Sequence, residues 1–370
     1  MMKFSKVMVV VGTRPEAIKL APVIHELEKK PGLEVITVST SQHREMLDQV
    51  LDLFGISPDY DLKIMQKNQT LTQIVEKAMS GFRRVFDQVR PDIILVQGDT
   101  TTAFAGALAG FYEGIPVGHI EAGLRTWNLF SPFPEEANRN LISVIARYHF
   151  APTEGNRKNL IQEHIDPKSI VVTGNTVIDA LHYVLKNKPS NTIPEQFCGN
   201  GQRLLLVTAH RRENFGQPME DICHALLEIA DRNKDVSIIY PVHLNANVQK
   251  PVRSLLTGKG RIHLLAPLNY RDMCSCLNRA FLVLTDSGGI QEEAPSLGKP
   301  VIVMRTETER PEAVQAGTVA VVGNTKKAIV DKAEELLLDK YAYQRMARAV
   351  NPYGDGKAAM RIVDFLTSVN

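Results

Sequence analysis

The chain lacks the marks of several large protein classes. Four cysteines in 370 residues are too few for a disulfide framework, which excludes the small secreted scaffolds and fits a reducing compartment. Cys274 and Cys276 form a C-x-C inside a helical pattern, where positions two apart do not face each other. No second Cys or His pair stands at ligand spacing, so no metal site is expected. Charge of one sign is scarce too: the net charge is +2, with Lys and Arg scattered among Asp and Glu, and neither nucleic acid nor an anionic membrane is the expected partner. No apolar run approaches a membrane span. The opening stretch MMKFSKVMVVVGTRPE passes from a short apolar run into a turn without a small-residue cleavage site, and reads as a first strand rather than a signal peptide. The expected protein is soluble and cytoplasmic. A G-x-x-x-x-G-K-[ST] loop and a G-x-G-x-x-G turn are both missing, which argues against a Walker site and a tightly held nicotinamide; no cofactor is expected.

What is present is a strong alternation. Hydrophobic residues make up 44% and charged ones 23%, a globular balance. Short β-branched runs (VMVVV, VITVST, DIILVQ, PVGHI, SIVVTG) alternate with amphipathic stretches such as PEAIKLAPVIHELEKK and TLTQIVEKAMSGFRRVFDQV. The alternation then restarts with RLLLVTA, VSIIYPV, RIHLLAP, FLVLTD and PVIVM. Two successive βα runs predict an α/β protein with two Rossmann-like doubly wound domains, 1–174 and 175–353. The polar stretch 186–202 reads as the linker, and a last helix at about 354–370 is expected to pack back on the first domain.

Doubly wound sheets bind ligands outside the carboxyl ends of their strands. Residues placed just after strands are therefore the candidates, and here they carry charge. VMVVV leads to GTRPEAIK, ILVQ to GDTT, VGHI to EAGLRT, LLLVTA to HRREN, IIYP to VHLN and FLVLT to DSGG. Arg14 and Lys19 stand near a helix N-terminus, where cations gain nothing from the dipole; anion binding is the natural reason. Asp99 and Glu121 end consecutive strands, and Glu135 or Glu136 opens a helix after Pro134, where either acid could simply favour the helix start. Several acids near one ligand would drive their pKa values apart, as acid–base chemistry needs. His210 ends a strand in the second half, beside Arg211 and Arg212. The turn Asp286-Ser287-Gly288-Gly289 aims backbone N–H groups at one point, which suits a phosphate, while Glu293 one turn on could accept from sugar hydroxyls.

These stretches together resemble the non-hydrolysing UDP-N-acetylglucosamine 2-epimerases of bacteria. The similarity rests on GTRPEAIKLAP, QHREML, GDTTT, GHIEAGLRT, FPEEANR, TGNTVIDAL, HRREN, PVHLN, LTDSGGIQEEAPSLGKPV, RPEAV and NPYGDG, in that order from residue 12 to 356. The resemblance implies a glycosyltransferase-B type fold with its domains facing a cleft, a homodimer, and interconversion of UDP-GlcNAc and UDP-ManNAc for a surface polysaccharide. It puts the uracil, ribose and phosphate contacts on Arg14, Lys19, Ser287, Gly288, Gly289, Glu293 and Arg310, with Leu268 and Met273 at the uracil pocket. It makes His210 an active-site residue and assigns catalysis to Asp99, Glu121 and Glu135. Gln42, Arg211 and His243 match parts of a second, activating substrate site, whereas Asn68 stands where an arginine is expected. Leu268 and Met273 depart from the Gln and aromatic residue that can stand at their positions in other members, so the resemblance does not carry over the stacking and side-chain hydrogen bond there, and backbone groups are the expected replacement.

The chemistry implied is elimination of the anomeric UDP to a 2-acetamidoglucal and re-addition with C2 reprotonated on the other face. That route needs carboxylates on both faces of the sugar and a strong anion site for the diphosphate. A glycosyltransferase of the same fold, a hydrolysing epimerase releasing ManNAc and UDP, and a silent nucleotide-sugar sensor are the alternatives.

Overall fold

The computed structural model describes residues 4–40, 44–66, 69–199 and 201–369. The chain folds as two units, residues 1–182 with 353–370, and residues 183–352. The first contains β1 (Lys6–Val11), α1 (Arg14–Glu28), β2 (Glu34–Ser39), α2 (Arg44–Phe54), β3 (Tyr60–Asp61), α3 (Leu71–Gln88), β4 (Ile93–Gln97) and α4 (Thr101–Tyr112). It continues with β5 (Val117–Ile120), α5 (Glu135–Ile145), β6 (Tyr148–Ala151), α6 (Glu154–Gln162), β7 (Ile170–Val172) and the start of α7 (Thr176–Asn187). The second unit runs α8 (Thr192–Phe197), β8 (Arg203–Thr208), α9 (Gln217–Arg232), β9 (Val236–Pro241), α10 (Ala246–Leu256), β10 (Ile262–Leu265) and α11 (Tyr270–Arg279). Then follow β11 (Leu282–Thr285), α12 (Gly288–Ser296), β12 (Val301–Val303), α13 (Pro311–Gln315), β13 (Val319–Val321), α14 (Lys326–Leu338) and α15 (Lys340–Ala347). The last helix, α16 (Ala358–Ser368), belongs to the first unit.

Each unit is built on one wholly parallel sheet. The strand order is β3-β2-β1-β4-β5-β6-β7 in the first and β10-β9-β8-β11-β12-β13 in the second. Relabelled from its own first strand, the second sheet has the same winding as the first six strands of the first. This is the doubly wound α/β arrangement expected from the alternation. Helices cover both faces of such a sheet, so its central strands read as continuous apolar runs: Val7 to Val11 of β1 and Leu204 to Val207 of β8 are almost wholly buried. In both sheets the winding reverses next to the first strand, between β1 and β4 and between β8 and β11. A crevice opens at such a reversal, outside the carboxyl ends of those strands. The winding alone thus selects the turns after Val11, Gln97, Thr208 and Thr285 as the places for ligands.

Three strands were not expected from the pattern. β3 is two residues long at a sheet edge, β6 (YHFA) carries a histidine, and β13 is three residues long. β3 and β13 are too short to show a period. The stretch 186–202, expected as a linker, instead holds α8 and belongs to the second unit. Its backbone is tied down there: Arg271 donates to the carbonyls of Lys188 and Pro189, Ser237 Oγ donates to that of Phe197 at 2.6 Å, and Pro194 is buried.

The division between units falls within α7 rather than at 174/175, because the first turns of α7 grip α16. Asp179 accepts the N–H groups of Ala358 and Ala359 at 3.2 and 2.9 Å, filling the free donors at the start of α16. Phe365 stands edge-on to Tyr148 and Phe150, and Lys30 pairs with Asp364 at 2.7 Å. Outgoing and returning chain run side by side, with the Asn175 N–H donating to the Tyr353 carbonyl at 2.7 Å. Gly174 (φ 88°) and Gly354 (φ 118°) make this crossing possible, since a Cβ on Gly174 would lie 3.2 Å from the Gly354 Cα. Among the described residues no helix is long and apolar enough to cross a membrane.

Candidate functional site

The first unit gathers its acids around the β1/β4 reversal. Glu121, the first residue after β5, has φ 64°, a left-handed conformation that costs a non-glycine residue about 1–3 kcal/mol. Its carboxylate is held in place by others: Lys19 Nζ lies 2.5 Å from Oε2, the Gln97 amide donates to the same oxygen, and Asn175 Nδ2 is 3.5 Å from Oε1. Lys19 lies on α1 and Gln97 ends β4, so the carboxylate ties three elements together. Strain persists where the surroundings over-determine it, and that is most often at functional positions.

Asp99 follows Gly98 (φ 70°) in the β4–α4 turn, and Arg139 of α5 grips its Oδ2 through Nε and Nη2 at 2.9 and 2.6 Å. Arg139 also donates Nη1 to Glu136 at 2.9 Å. Burial opposes the guanidinium charge, but Asp99 and Glu136 outweigh it and push the Arg139 pKa up. Glu136 is buried and accepts the backbone N–H groups of Thr126 and Trp127, which makes it a brace for that loop. Glu135 is half-buried, and no hydrogen bond or ion pair holds it among the described residues. Of the two adjacent acids at the start of α5, Glu135 is therefore the one available to a ligand. Arg14, half-buried at the first position of α1, likewise has no acid partner among the described residues.

Two further groups brace this site. Glu16, in the first turn of α1, is 1% exposed and accepts the Thr100 hydroxyl at 2.8 Å. Burial raises its pKa to about 7, hydrogen bonds from Thr13 and Thr100 pull back, and the nearby Asp99 charge adds to the rise. His119, fully buried in β5, donates Nε2–H to the Gly98 carbonyl at 2.7 Å and fixes the turn that carries Asp99. Burial lowers its pKa to about 3, so it is neutral at any ordinary pH.

The second unit gathers cations and backbone donors at the β8/β11 reversal. α12 begins at Gly288 with Ser287 as its N-cap, and no side chain caps it. Its first N–H groups, carrying the positive end of the helix dipole, are left for an anion. A Cβ placed on Gly288 would lie 3.7 Å from Arg310 Nη2 and 3.8 Å from Arg211 Nη2. Two guanidiniums therefore stand over the start of this helix. Arg310 is fixed from behind by the buried Glu292, and Arg211 Nη2 approaches Glu309 at 3.7 Å. Burial works against the Glu309 charge, yet Arg211, Arg305 and Arg310 hold its pKa below the usual range.

One turn into α12, the buried Glu293 accepts the Tyr270 hydroxyl at 2.9 Å on Oε1, while its Oε2 lies 3.8 Å from where a Gly289 Cβ would stand. Leu268 and Met273, both half-buried, flank Tyr270 at the start of α11. His210 sits just past β8, its ring stacked on the exposed His243 with centroids 5.4 Å apart. Arg211 and His243 thus adjoin His210 and the α12 turn. Gln42 and Asn68 lie outside the described residues. Among the described residues no group of three His, Cys, Asp or Glu side chains is placed to hold a metal ion.

One unit therefore offers strand-end carboxylates held by cations and an amide, the other an anion cradle with a carboxylate a helical turn away. The family model for UDP-N-acetylglucosamine 2-epimerase matches residues 25–367. The chain belongs to this family. It is 53% identical over 368 residues to the UDP-N-acetylglucosamine 2-epimerase of Escherichia coli O157:H7, covering 98% of each chain. It is 54% identical over 370 residues to that of Salmonella typhimurium, again covering 98% of each. The crystal structure of the Neisseria meningitidis UDP-GlcNAc 2-epimerase bound to UDP-GlcNAc superposes with a TM-score of 0.89 at 50% identity, covering 98% of this chain and 99% of that one. Such neighbours have the glycosyltransferase-B type of fold.

Within this epimerase-family chain, several bracing residues escaped the sequence reading. Arg139 lies three residues beyond Glu136 on one helix face, a spacing that could have exposed it. Gln97 ends β4 and Asp286 follows β11, each beside residues that drew the functional reading. Glu16, His119 and Tyr270 gave no signal, because what distinguishes them is burial.

Proposed function

We propose that the protein interconverts UDP-GlcNAc and UDP-ManNAc by inverting C2, without hydrolysing the nucleotide sugar and without a cofactor. The observation that carries this reading is the division of chemistry between the two winding reversals. The second unit binds the nucleotide: the Ser287-Gly288-Gly289 turn and Arg310 take the diphosphate, Glu293 the ribose hydroxyls, and the segment from Leu268 to Met273 the uracil. In the first unit Arg14 and Lys19 add positive charge, and Asp99, Glu121 and Glu135 act on the sugar.

The reaction that fits is elimination and re-addition. A carboxylate takes the C2 proton while the C1–O bond breaks, the electron pair leaving on the β-phosphate oxygen as UDP and a C1–C2 double bond forming. The same oxygen then attacks C1 while a carboxylic acid returns a proton to C2 on the opposite face. Charge builds on the departing diphosphate, where preorganised donors and guanidiniums lower the barrier most. His210, beside the same turn, stabilises that charge in its protonated form.

A proton NMR time course in deuterated water tests this, with UDP-GlcNAc and no added cofactor. The expected result is UDP-ManNAc carrying deuterium at C2, with one equilibrium mixture reached from either side. Free ManNAc with stoichiometric UDP would establish the hydrolysing reaction instead, and an unchanged spectrum would remove the epimerase reading.

The functional form is a cytoplasmic homodimer that supplies ManNAc units for a cell-surface polysaccharide. Phe111, Tyr112, Leu141 and Val144 on α4 and α5, with Trp127, Phe130 and Phe133 nearby in sequence, form an exposed apolar set in the first unit that supports the dimer. A monomer mass by light scattering at micromolar concentration would refute it.

A further inference from the structure

The buried Asp286 has no part in the chemistry above, yet its surroundings are specific. It is 0% exposed, and a carboxylate so placed is costly unless donors surround it. Oδ2 has them: the N–H groups of His210 and Arg211 at 2.7 and 2.8 Å, and Asn214 Nδ2 at 3.0 Å. Asn214, itself buried, is fixed by donating to the Met304 carbonyl at 3.1 Å and accepting from Asn324. Oδ1 is different. It lies 3.4 Å from His210 Nδ1 and has no hydrogen-bonding partner among the described residues. A carboxylate serving only as a scaffold for the 210–211 backbone would have its second oxygen satisfied or replaced, since a buried bare acceptor is destabilising. Here that oxygen is kept and aimed at an imidazole. Hydrogen bonds of reacting groups are often long before substrate binds and tighten afterwards.

We propose that Asp286 is the positioning residue for His210: Oδ2 holds the loop, and Oδ1 receives Nδ1–H, leaving Nε2 as the nitrogen that serves the substrate. This rests on the reading of His210 as part of the reacting site. The groups facing the His210 ring are Asp286 from the β11–α12 turn, His243 from the turn after β9, and Arg211 beside it in the chain. Burial, His243 and Arg211 disfavour the imidazolium and Asp286 favours it; the net effect is a lowered pKa. Asp286 thus selects the tautomer at neutral pH and supports the positive charge when the ring takes up a proton.

The first test uses the unaltered protein. Long-range proton–nitrogen NMR should show neutral His210 protonated at Nδ1; an Nε2–H tautomer would overturn the proposal with no variant needed. In Asp286→Asn, kcat should fall about a hundredfold with KM for UDP-GlcNAc and affinity for UDP within about twofold. The His210 titration should move to lower pH, a change that loss of scaffolding alone does not produce. In a His210→Asn background the same Asp286→Asn change should cost almost nothing further. An unshifted titration, or an equal loss in both backgrounds, would make Asp286 a scaffold only. Full turnover by His210→Asn alone would overturn the underlying assignment of His210, and this inference with it.

Discussion

The two units wind their strands in the same order and open a crevice at the same place, but they fill it with opposite chemistry. At the β1/β4 reversal the strand ends carry acids, each held by a cation or an amide: Glu121 by Lys19 and Gln97, Asp99 by Arg139. At the β8/β11 reversal the turns present glycine, histidine and arginine, while the acids are buried as their supports, Glu292 behind Arg310 and Asp286, the first residue after β11, facing His210. The winding decides where ligands bind, and the side chains at the strand ends decide what is done to them. Under the proposed function, one backbone plan is divided between holding a charged group and transferring a proton.

The comparison breaks if either unit performs the other's task. The largest expected effect is in the first unit. Glu121→Gln should lower kcat about a thousandfold, because the amide sets a donor against Lys19 and cannot accept a C2 proton. UDP affinity, read by calorimetry, should stay within about threefold of the unaltered protein if nucleotide binding belongs to the second unit. Arg310→Gln should do the reverse: UDP binding should weaken at least about tenfold, while Glu292 keeps a hydrogen-bonding neighbour. A variant that lost binding and turnover together in both cases would dissolve the division of labour.

The smallest effect sharpens the electrostatic contrast. Glu16 has its pKa raised by burial from 4.5 to about 7, so between those values the folded state holds a proton that the unfolded chain has released. Its contribution is fully present below the unfolded value and is lost as pH rises toward 7, at most about 3 kcal/mol for a shift of this size. Urea midpoints at pH 5 and 8 should show the first unit weakening with pH, and Glu16→Gln should flatten that decline. An unchanged decline in the variant would assign it to other groups.

Much of this was legible before any coordinates, for reasons that differ by residue. Asp99, Glu121, His210 and the Ser287-Gly288-Gly289 turn follow strands long enough to show a run, and the residue after a strand in a parallel sheet faces the ligand side. The pairing of Arg139 with Asp99 spans forty residues and two helices, which no local period encodes. The choice of Glu135 over Glu136 came from the resemblance alone, since both suit a first helical turn and only tertiary contacts separate them. Glu16 stood in a stretch singled out for its cations, yet its near-complete burial depends on the β4–α4 turn, whose Thr100 hydroxyl meets it. The polar composition of 186–202 concealed α8, which is held by contacts to α11 and β9 rather than by its own propensity.

The return of the chain at Tyr353 has a consequence for how the protein is made. The whole second unit is inserted between α7 and α16, so the ribosome must synthesise some 170 residues after α7 before the piece that covers Tyr148 and Phe150 emerges. Until then the nascent first unit shows bare apolar surface and Asp179 has no helix end to cap. The later-made unit can reach its native state while the earlier one waits, which reverses the usual order of vectorial folding. Nascent chains arrested before Ala358 should engage chaperones through the first unit, and release should coincide with the docking of α16.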